Sequence, residues 1–554
     1  MLVPDWLGSR ALVSGSRLAL IAGDVRWTFA DLDREVRVAA RALQGFGVQE
    51  GDRIAVLLRN GAPYVVLIHA LTRLGTVLVP LNIRLTVEEA AWQAADSQPR
   101  VLLFDASTAE LARGVSAVRS DLLLVPVGAV VAEHPSEERG NANHTGGNSR
   151  VASLPRHHVT GAIGMDVTPA VTPPRQKDRA DAVSVGSSRA VTPPFHDDCC
   201  VTDVPRHHID LDAVQSIMYT SGTTGRPKGA MLTHGNVWWS AVGSALNLGL
   251  HADDRWLACL PLFHVGGMSI VIRGAIYGMA CVVHERFDVA AANRAIEDDG
   301  VTLVSVVSVM LQRMLDARNG QKYPPHLRVV LLGGGPAPRP LLEACAGMEV
   351  PVVQTYGLTE TASQVVTLAP EDALRKLGSA GKPLLPAEVR LEHEGRTVAS
   401  GEVGEVLVRG PMVTTGYLGR PEETARALAG GWLHTGDLAR MDDEGYLYIL
   451  DRRSDLIISG GENVYPAEVE AVLLSHPAVQ EAGVIGTPDQ QWGQVVVATV
   501  VLTPGATVTE AELLSFCTHR LARYKLPRHV SFATSLPRTA AGKILRRELR
   551  GRVG

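Results

Sequence analysis

The chain reads Tyr-Thr-Ser-Gly-Thr-Thr-Gly-Arg-Pro-Lys-Gly at residues 219–229, directly after a short apolar segment that predicts a β-strand. Glycines in such a loop let the backbone turn sharply and bring its N–H groups close to an anion. The hydroxyl side chains add donors, and the arginine and lysine add positive charge. The spacing differs from the Gly-x-x-x-x-Gly-Lys-Ser/Thr pattern, which argues against a P-loop NTPase. The loop predicts a polyphosphate cradle rather than an ordinary polar surface loop. Its candidate binding residues are Thr220, Ser221, Gly222, Thr223, Thr224, Gly225 and Lys228.

The composition is that of a globular protein with a large core, since 46% of the 554 residues are hydrophobic and 20% are charged. This length predicts two or more domains. The net charge of −5 provides no field suited to nucleic acid. We find no signal-peptide pattern, no apolar run of the about 18 residues that a membrane-spanning helix needs, and no disulfide framework among six scattered cysteines. We therefore expect a cytoplasmic protein that neither inserts into a membrane nor binds nucleic acid.

Helical and strand-like patterns alternate along residues 1–104 and again after residue 211. A helix is expected to begin at Trp27, and strands are predicted at 52–58, 75–80, 256–260, 281–283, 301–306 and 328–332. Alternating strands and helices predict an α/β fold in which parallel sheets are covered by helices.

The pattern changes toward the C-terminus. Residues 402–410 and 445–450 predict short strands of a small β-rich subdomain. After the sequence Asp-Arg-Arg-Ser-Asp at 451–455 a compact α+β unit begins. We predict a large N-terminal domain at 1–450, a hinge at 451–455, and a small mobile C-terminal lid domain at 456–554.

Residues 126–208 differ in kind from the rest of the chain. Ala-Val-Thr-Pro-Pro occurs at 170–174 and 190–194, and Pro-Arg-His-His occurs at 155–158 and 205–208. Hydrophobic periodicity is lost, which predicts a low-complexity insertion that is disordered or forms a surface excursion. A metal site built from its histidines and adjacent cysteines is disfavoured because the usual ligand spacing is missing.

Five further segments occur in the same order as in the adenylate-forming superfamily of acyl-CoA synthetases, luciferases and adenylation domains, which the chain resembles. These five segments are residues 331–337, 354–360, 432–437, 458–466 and 536–546, and they follow the loop at 219–229. The resemblance implies the binding of ATP, Mg²⁺ and CoA, together with a small-molecule carboxylic acid.

For the nucleotide, the resemblance implies that Tyr356 stacks on adenine and that Thr359 contacts a phosphate. Glu360, with Thr223, would hold Mg²⁺, a cation that prefers oxygen ligands and takes few carboxylates beside phosphates. Without the family context, Glu360 is a first-turn carboxylate that favours a helix N-terminus, and Arg452 is a member of a buried ion pair. The remaining implied nucleotide-site residues are Gly334, Gly335, Gln354, Gly357, Asp437 and Arg452, of which the last two would hold the ribose.

For the two half-reactions, the resemblance implies that the C-terminal domain rotates between adenylate formation and thiol capture. Lys543 would be the catalytic lysine of the first step, and Gly460 and Gly461 would line the pantetheine tunnel in the second. The chain carries Ala541 where family members usually have serine or threonine, so one hydroxyl contact of the lysine segment is in doubt. The implied catalytic set is Lys543, Glu360, Thr223 and His264.

The segments at 236–287 and 452–466 resemble those of the 2-succinylbenzoate–CoA ligases of menaquinone biosynthesis. This resemblance implies an aromatic substrate with two carboxylates, of which only the one on the succinyl chain is activated. The unreacted carboxylate needs polar partners in an otherwise apolar pocket. Candidate pocket residues are His264, Gly267, Met268, Ser308 and Gly334. Ser308 is equally well explained as a helix hydroxyl bonded to its own backbone.

Three alternatives remain at the level of sequence. An acyl-CoA ligase for another aryl or fatty acid would share every nucleotide-site residue. A carrier-protein adenylation domain is disfavoured because the sequence shows no carrier segment with a modified serine. A non-catalytic binding homologue would be expected to lack Lys543, Glu360 or Asp437, and all three are present. The resemblance is compatible with a homo-oligomer, which nothing in the sequence derives.

Overall fold

The computed structural model describes residues 1–131, 208–221, 226–334, 339–451, 456–464, 466–537 and 546–551. In the first range the strands are β1 Leu2–Pro4, β2 Leu18–Ala22, β3 Val25–Thr28, β4 Arg53–Leu57, β5 Val77–Pro80, β6 Val101–Phe104 and β7 Leu123–Pro126. The helices there are α1 Trp6–Ser14, α2 Phe29–Gly45, α3 Ala62–Leu74, α4 Val87–Ser97 and α5 Ala109–Val118. Strands and helices therefore alternate as the sequence predicts.

Between residues 208 and 451 the strands are β8 His208–Asp210, β9 Val214–Ser221, β10 Pro227–Thr233, β11 Arg255–Ala258, β12 Ala280–Val283, β13 Leu303–Val306, β14 Val329–Leu332, β15 Val352–Leu358, β16 Ser363–Thr367, β17 Lys382–Pro383, β18 Glu388–His393, β19 Arg396–Thr397, β20 Val403–Arg409, β21 Leu433–Met441 and β22 Leu447–Asp451. The helices are α6 His234–Leu248, α7 Val265–Tyr277, α8 Val289–Asp298, α9 Ser308–Arg318, α10 Arg339–Gly347 and α11 Pro421–Ala427.

The C-terminal part contains strands β23 Ile457–Ser459, β24 Glu462–Val464, β25 Val479–Asp489, β26 Gly493–Leu502 and β27 His529–Phe532. Its helices are α12 Pro466–Leu474, α13 Glu510–Thr518 and α14 Arg546–Arg550. The strands form one sheet around the long antiparallel pair β25 and β26, and helices α12 and α13 share its core. This is the predicted α+β unit.

Two large sheets carry the N-terminal part. One has the strand order β10-β9-β5-β4-β6-β7 and the other β17-β16-β15-β14-β13-β11-β12-β2-β3. Both are parallel in their interior. The nine-stranded sheet has antiparallel strands at both edges, whereas the six-stranded sheet is antiparallel only at its β10 edge, since β7 pairs with β6 in parallel. A third sheet, β19-β18-β20-β21-β22, is antiparallel and is the predicted β-rich subdomain. The prediction of helix-covered parallel sheets with a small β-rich subdomain is confirmed.

Helices α2, α3 and α7 form a buried layer shared by the two large sheets. Side chains of a strand alternate between its two faces, and Ile54 and Val56 of β4 point into the same core cluster as Leu20 and Trp256 of the nine-stranded sheet. Helix α3 is buried along nearly its whole circumference, as expected of a helix covered on both sides. The main core of the molecule therefore lies between the sheets.

Two sequence-based boundaries differ from the structure. Trp27 lies in β3, paired with Leu20, and α2 begins only after Thr28, whose hydroxyl accepts from the Asp31 amide at 3.2 Å. This N-terminal cap ends the strand and starts the helix. Residues 127–131, at one edge of the predicted insertion, contribute buried valines to the main core, and His208 at its other edge pairs with Pro4.

Residues 132–207 and 452–455 lie outside the described residues, so the insertion and the hinge stay predictions. Among the helices that the structure describes, none combines the length and apolarity needed to cross a membrane.

Asn60 ties the two large sheets together next to the loop that precedes α7. Its side-chain amide donates to the Leu260 and His284 carbonyls at 2.9 and 3.2 Å, and its oxygen accepts from the Leu262 amide at 2.8 Å. The residue is buried, so each of these groups would be costly to leave unpaired. Asn60 therefore fixes the position of residues 260–262.

We expect Asn60→Ala to lower the apparent free energy of unfolding by about 3 kcal/mol, because two carbonyls and one amide lose their partner in a buried site. Urea denaturation followed by tryptophan fluorescence measures the change. The control is Asn319→Gly, at a left-handed helix C-cap with φ of 48° that glycine adopts readily; it should shift the value by less than about 0.5 kcal/mol. Equal effects of the two substitutions would contradict the conclusion that Asn60 fixes the position of residues 260–262.

Candidate active site

A cavity of about 200 Å³ lies where the carboxyl ends of β11, β13, β14 and β15 meet. Ligand sites in open parallel sheets lie at this edge because the loops that follow the strands converge there. The hairpin β23–β24 of the C-terminal part closes one side of the cavity. Six residues predicted from the sequence line it: His264, Gly267, Gly334, Gly357, Thr359 and Gly461.

Glycine is required at two of these positions. A Cβ atom on Gly267 would lie 2.2 Å from the Pro261 carbonyl oxygen, so only glycine lets α7 begin this close to the preceding loop. Gly334 has φ of +82°, a conformation that residues with side chains rarely adopt. These positions set the shape of the cavity wall.

Two predicted pocket residues lie elsewhere. Met268 is 1% exposed and belongs to the main core. Adjacent residues of a helix point in directions about 100° apart, so α7 presents Gly267 to the cavity and Met268 to the core. Ser308 begins α9 and is half-buried, and it is not among the described residues that line this cavity.

Tyr356 and Asp437 form a buried pair beside the cavity. The Tyr356 hydroxyl donates to Asp437 Oδ2 at 2.7 Å, and the two residues are 5% and 1% exposed. The tyrosine ring packs into the core of the small antiparallel sheet. The Gln354 amide donates to the Ser379 carbonyl at 2.9 Å and is buried, which gives it a structural bond in addition to its predicted role.

Lys228 and Glu360 are joined through Tyr417. Lys228 Nζ lies 2.8 Å from Glu423 Oε2 and 5.3 Å from the centre of the Tyr417 ring. The Tyr417 hydroxyl donates to Glu360 Oε1 at 2.8 Å, and no described residue bonds Oε2. One carboxylate oxygen beside a lysine that is predicted to bind phosphate fits Mg²⁺, which keeps most of its ligands for phosphate and water.

Several predicted residues lie outside the described ranges, and the roles assigned to them stay predictions. They are Gly222, Thr223, Thr224, Gly225, Gly335, Arg452 and Lys543, and for Ser221 only the backbone is described. Thr220 lies in β9 opposite Lys228 of β10. The described residues contain no group of three or more His, Cys, Asp or Glu side chains able to hold a metal ion.

Glu462 of β24 reaches across to the N-terminal part. Its two oxygens lie 2.9 Å from His264 Nε2 and 2.6 Å from Arg84 Nη1, and the Asn82 amide donates to it at 3.3 Å. Burial alone would raise the pKa of the Glu462 carboxyl, but His264 and Arg84 outweigh burial and hold that pKa below its usual value. The carboxylate therefore stays charged and fixes the His264 ring at the cavity.

The hairpin that carries Glu462 depends on two glycines. Gly460 and Gly461 have φ of +58° and +83°, and a Cβ on Gly460 would lie 2.7 Å from the Trp492 ring. Gly461 itself lines the cavity. The predicted pair thus lies where backbone approaches the cavity closely.

Arg273 lines the cavity and was not identified from the sequence. It is 2% exposed, and its Nη2 donates to the Ser240 hydroxyl at 3.2 Å. Among the described residues, its Nε has no hydrogen-bond partner and no carboxylate pairs with it. Burial lowers the pKa of the guanidinium from its usual value. The available signal was a single charge in the otherwise apolar pattern of α7.

Gln364 is a second residue on the cavity wall with polar atoms that have no partner among the described residues. It is 2% exposed, and neither atom of its side-chain amide has a hydrogen-bond partner among the described residues. Buried polar groups are nearly always bonded to something. Arg273 and Gln364 together indicate a cavity that accepts a polar ligand carrying negative charge.

The sequence matches the AMP-binding enzymes over residues 9–418 and the AMP-binding enzyme C-terminal domain over residues 468–543. Among curated relatives, the 2-succinylbenzoate–CoA ligase of Geobacillus kaustophilus is 47% identical over 548 residues, covering 99% of this chain and 97% of that protein.

Two solved structures of o-succinylbenzoate CoA synthetase from Bacillus subtilis are similar to this chain. A double mutant bound with its product analogue OSB-NCoA matches with a TM-score of 0.83 and 40% identity, over 100% of this chain and 99% of that one. The complex with ATP and magnesium ion matches with a TM-score of 0.67 and 40% identity, over 99% and 100%. At equal identity, the arrangement of this chain is closer to that of the first structure.

We expect Tyr356→Phe to raise the KM for ATP about tenfold with little change in kcat, because a buried carboxylate predicted to hold the ribose loses a donor. Steady-state kinetics at saturating acid and CoA measures the change. Tyr448→Phe is the control, since its hydroxyl bonds Asp442 at 3.2 Å on the same small sheet, and it should leave both constants unchanged. An unaltered KM in Tyr356→Phe would contradict the assignment of Asp437 to nucleotide binding.

Proposed function

The chain belongs to the AMP-binding enzyme family, and we propose that it joins 2-succinylbenzoate to CoA through an acyl-adenylate, releasing AMP and diphosphate. Such a ligase would serve menaquinone biosynthesis. Support comes from the relative named 2-succinylbenzoate–CoA ligase, at 47% identity over nearly the full length of both proteins. Support also comes from the B. subtilis synthetase, which binds ATP with magnesium and a CoA product analogue.

The observation that carries the proposal is the buried guanidinium of Arg273 on the cavity wall. A buried charge without a counter-ion is strongly unfavourable, and the described residues offer Arg273 no carboxylate. A substrate with a second carboxylate would supply the missing charge, and arginine suits carboxylates because its fork can donate two parallel bonds. A fatty acid or plain benzoate would leave the guanidinium with the Ser240 hydroxyl and the Trp256 ring, whose centre lies 5.7 Å away, but without a counter-ion.

In the first half-reaction, an oxygen of the succinyl carboxylate attacks the α-phosphorus of ATP. The bond from this phosphorus to the bridging oxygen breaks, and diphosphate leaves. Positive charge aimed at the transferring group is the principal source of acceleration in such chemistry. We assign that role to Lys543, with Lys228 on the phosphates. Mg²⁺ at Glu360 would neutralise phosphate charge.

In the second half-reaction, the sulfur of CoA attacks the acyl carbon, its proton passes to solvent, and the bond to AMP breaks. We assign the approach of the thiol to the side of the cavity closed by the hairpin that carries Gly460 and Gly461, of which Gly461 lines the cavity. The contact from Glu462 to His264 holds the imidazole at one side of this path. The TM-score of 0.83 with the product-analogue complex supports assigning the described arrangement to this step.

We expect Arg273→Met to lower kcat/KM for 2-succinylbenzoate about 50-fold, because the ring carboxylate loses a desolvated charged partner. The comparison substrate is 4-oxo-4-phenylbutyrate, which differs only by lacking the ring carboxylate. Its kcat/KM should be low in the unaltered protein and unchanged or higher in the variant. Diphosphate release with ATP, Mg²⁺ and each acid measures all four values.

Arg10→Met is the matched control, because Arg10 bonds the Ala275 and Ile276 carbonyls of the same helix outside the cavity. It should leave the ratio between the two acids unchanged. If Arg273→Met lowers both acids equally, the arginine has only a structural role. If the unaltered protein prefers benzoate or a medium-chain fatty acid, the enzyme is an acyl-CoA ligase for another acid.

A further inference from the structure

Lys525, in the C-terminal part, is buried between two carboxylates that come from different sides. It is 4% exposed, and its Nζ donates to Glu468 Oε1 at 2.7 Å and to Glu89 Oε1 at 2.8 Å. Burial alone would lower the pKa of the ammonium, but Glu468 and Glu89 outweigh it and raise that pKa. Lys525 therefore stays charged and holds all three residues together.

The three residues belong to different parts of the chain. Glu468 lies in α12 and so travels with Lys525, while Glu89 lies in α4 of the N-terminal part. If the C-terminal domain changes its orientation, the pair of Lys525 and Glu468 can persist, but the contact with Glu89 must break. Glu89 is thus the member whose bond depends on domain orientation.

Glu89 uses its two oxygens for different purposes. Oε2 accepts from the Thr86 amide at 2.9 Å, and the Glu89 amide donates to the Thr86 hydroxyl at 3.2 Å, which completes a capping box at the start of α4. Oε1 remains for Lys525. A glutamine at this position keeps the cap, because its carbonyl oxygen accepts in the same way, and removes only the charge.

Charges of opposite sign alternate along the contact between residues 82–89 and the C-terminal part. Within residues 82–89, Arg84 meets Glu462 and Glu89 meets Lys525, while the Asn82 amide donates to the Tyr524 hydroxyl at 3.2 Å. A positive group and a negative group on one segment face a negative and a positive group on the other. Such alternation favours one register and penalises others through like-charge contacts.

Two structures of the similar B. subtilis synthetase match this chain to different degrees. This chain matches the double mutant with the product analogue at a TM-score of 0.83 and the ATP complex at 0.67, although sequence identity is 40% in both comparisons. The contact of Glu89 with Lys525 therefore belongs to an arrangement closer to the first.

We propose that Glu89 is a positioning residue for thioester formation: through Lys525 it holds the C-terminal domain where Gly461 and Glu462 close the cavity. This inference rests on the proposed function. When the competent arrangement is populated less, the apparent affinity for the ligand that needs it falls by the same factor. Loss of the Glu89 charge should therefore weaken the CoA-dependent half-reaction and spare adenylate formation, which does not use this contact.

The test measures both half-reactions in Glu89→Gln. Diphosphate release in a single turnover without CoA reports adenylate formation, and thioester formation after addition of limiting CoA reports the second step. We expect the first rate within about twofold of the unaltered protein and the second about tenfold lower, the size typical of one charged hydrogen bond. Glu88→Gln, at the exposed neighbouring position, should match the unaltered protein in both.

A double variant tests whether Glu89 acts through Lys525. In a Lys525→Met background, Glu89→Gln should cause no further loss of thioester formation, because the partner is already absent. An undiminished effect there would overturn the proposal, as would an equal loss of both half-reactions or of neither in Glu89→Gln. Failure of the unaltered protein to form an adenylate would instead remove the proposed function, and this inference with it.

Discussion

One buried layer of helices, α2, α3 and α7, holds the two large sheets together, and the candidate site depends on it. The layer is apolar on both sides because each sheet directs alternate strand residues into it. Helix α7 starts at the cavity with His264 and Gly267 and then runs into the layer. The burial that stabilises the domain thus also fixes the direction of the site residues, and Asn60 pins the loop before them.

Arg273 introduces a charge into this apolar layer, which is unfavourable for folding alone. A group that destabilises the fold and also lines a cavity marks a functional position. In the proposed function the bound acid compensates the charge, so the same residue would provide both affinity for a dicarboxylate and discrimination against simple acids. The hairpin that closes one side of the cavity carries Glu462, which contacts His264 and Arg84.

Much of this architecture could be predicted from the sequence. Alternating patterns gave the parallel sheets, and the ordered motifs gave the resemblance to adenylate-forming enzymes, which is confirmed. Six predicted residues meet at the cavity because motif positions follow strand ends directly, where parallel strands bring their loops together. The glycines of the cavity could also be predicted, since a positive φ or a close approach of the backbone tolerates few residues with a side chain.

Other features required three-dimensional contacts. Met268 and Gly267 are neighbours in sequence but point in directions about 100° apart on α7, so one faces the core and the other the cavity, and the sequence alone does not show which residue faces which. In the sequence, Arg273 is a single charge in an apolar segment. Its interpretation as a binding residue required the structure, in which no described carboxylate pairs with it. The bond of Glu89 with Lys525 joins residues 436 positions apart and depends on how two domains meet.

The most direct test of the account is a crystal structure of the protein with a non-hydrolysable analogue of 2-succinylbenzoyl-adenylate. We expect the ring carboxylate to lie within about 3 Å of the Arg273 guanidinium, with the acyl carbonyl toward His264 and Gly461. A ring carboxylate that points to solvent, or that is held by other residues while Arg273 stays unpaired, would contradict it.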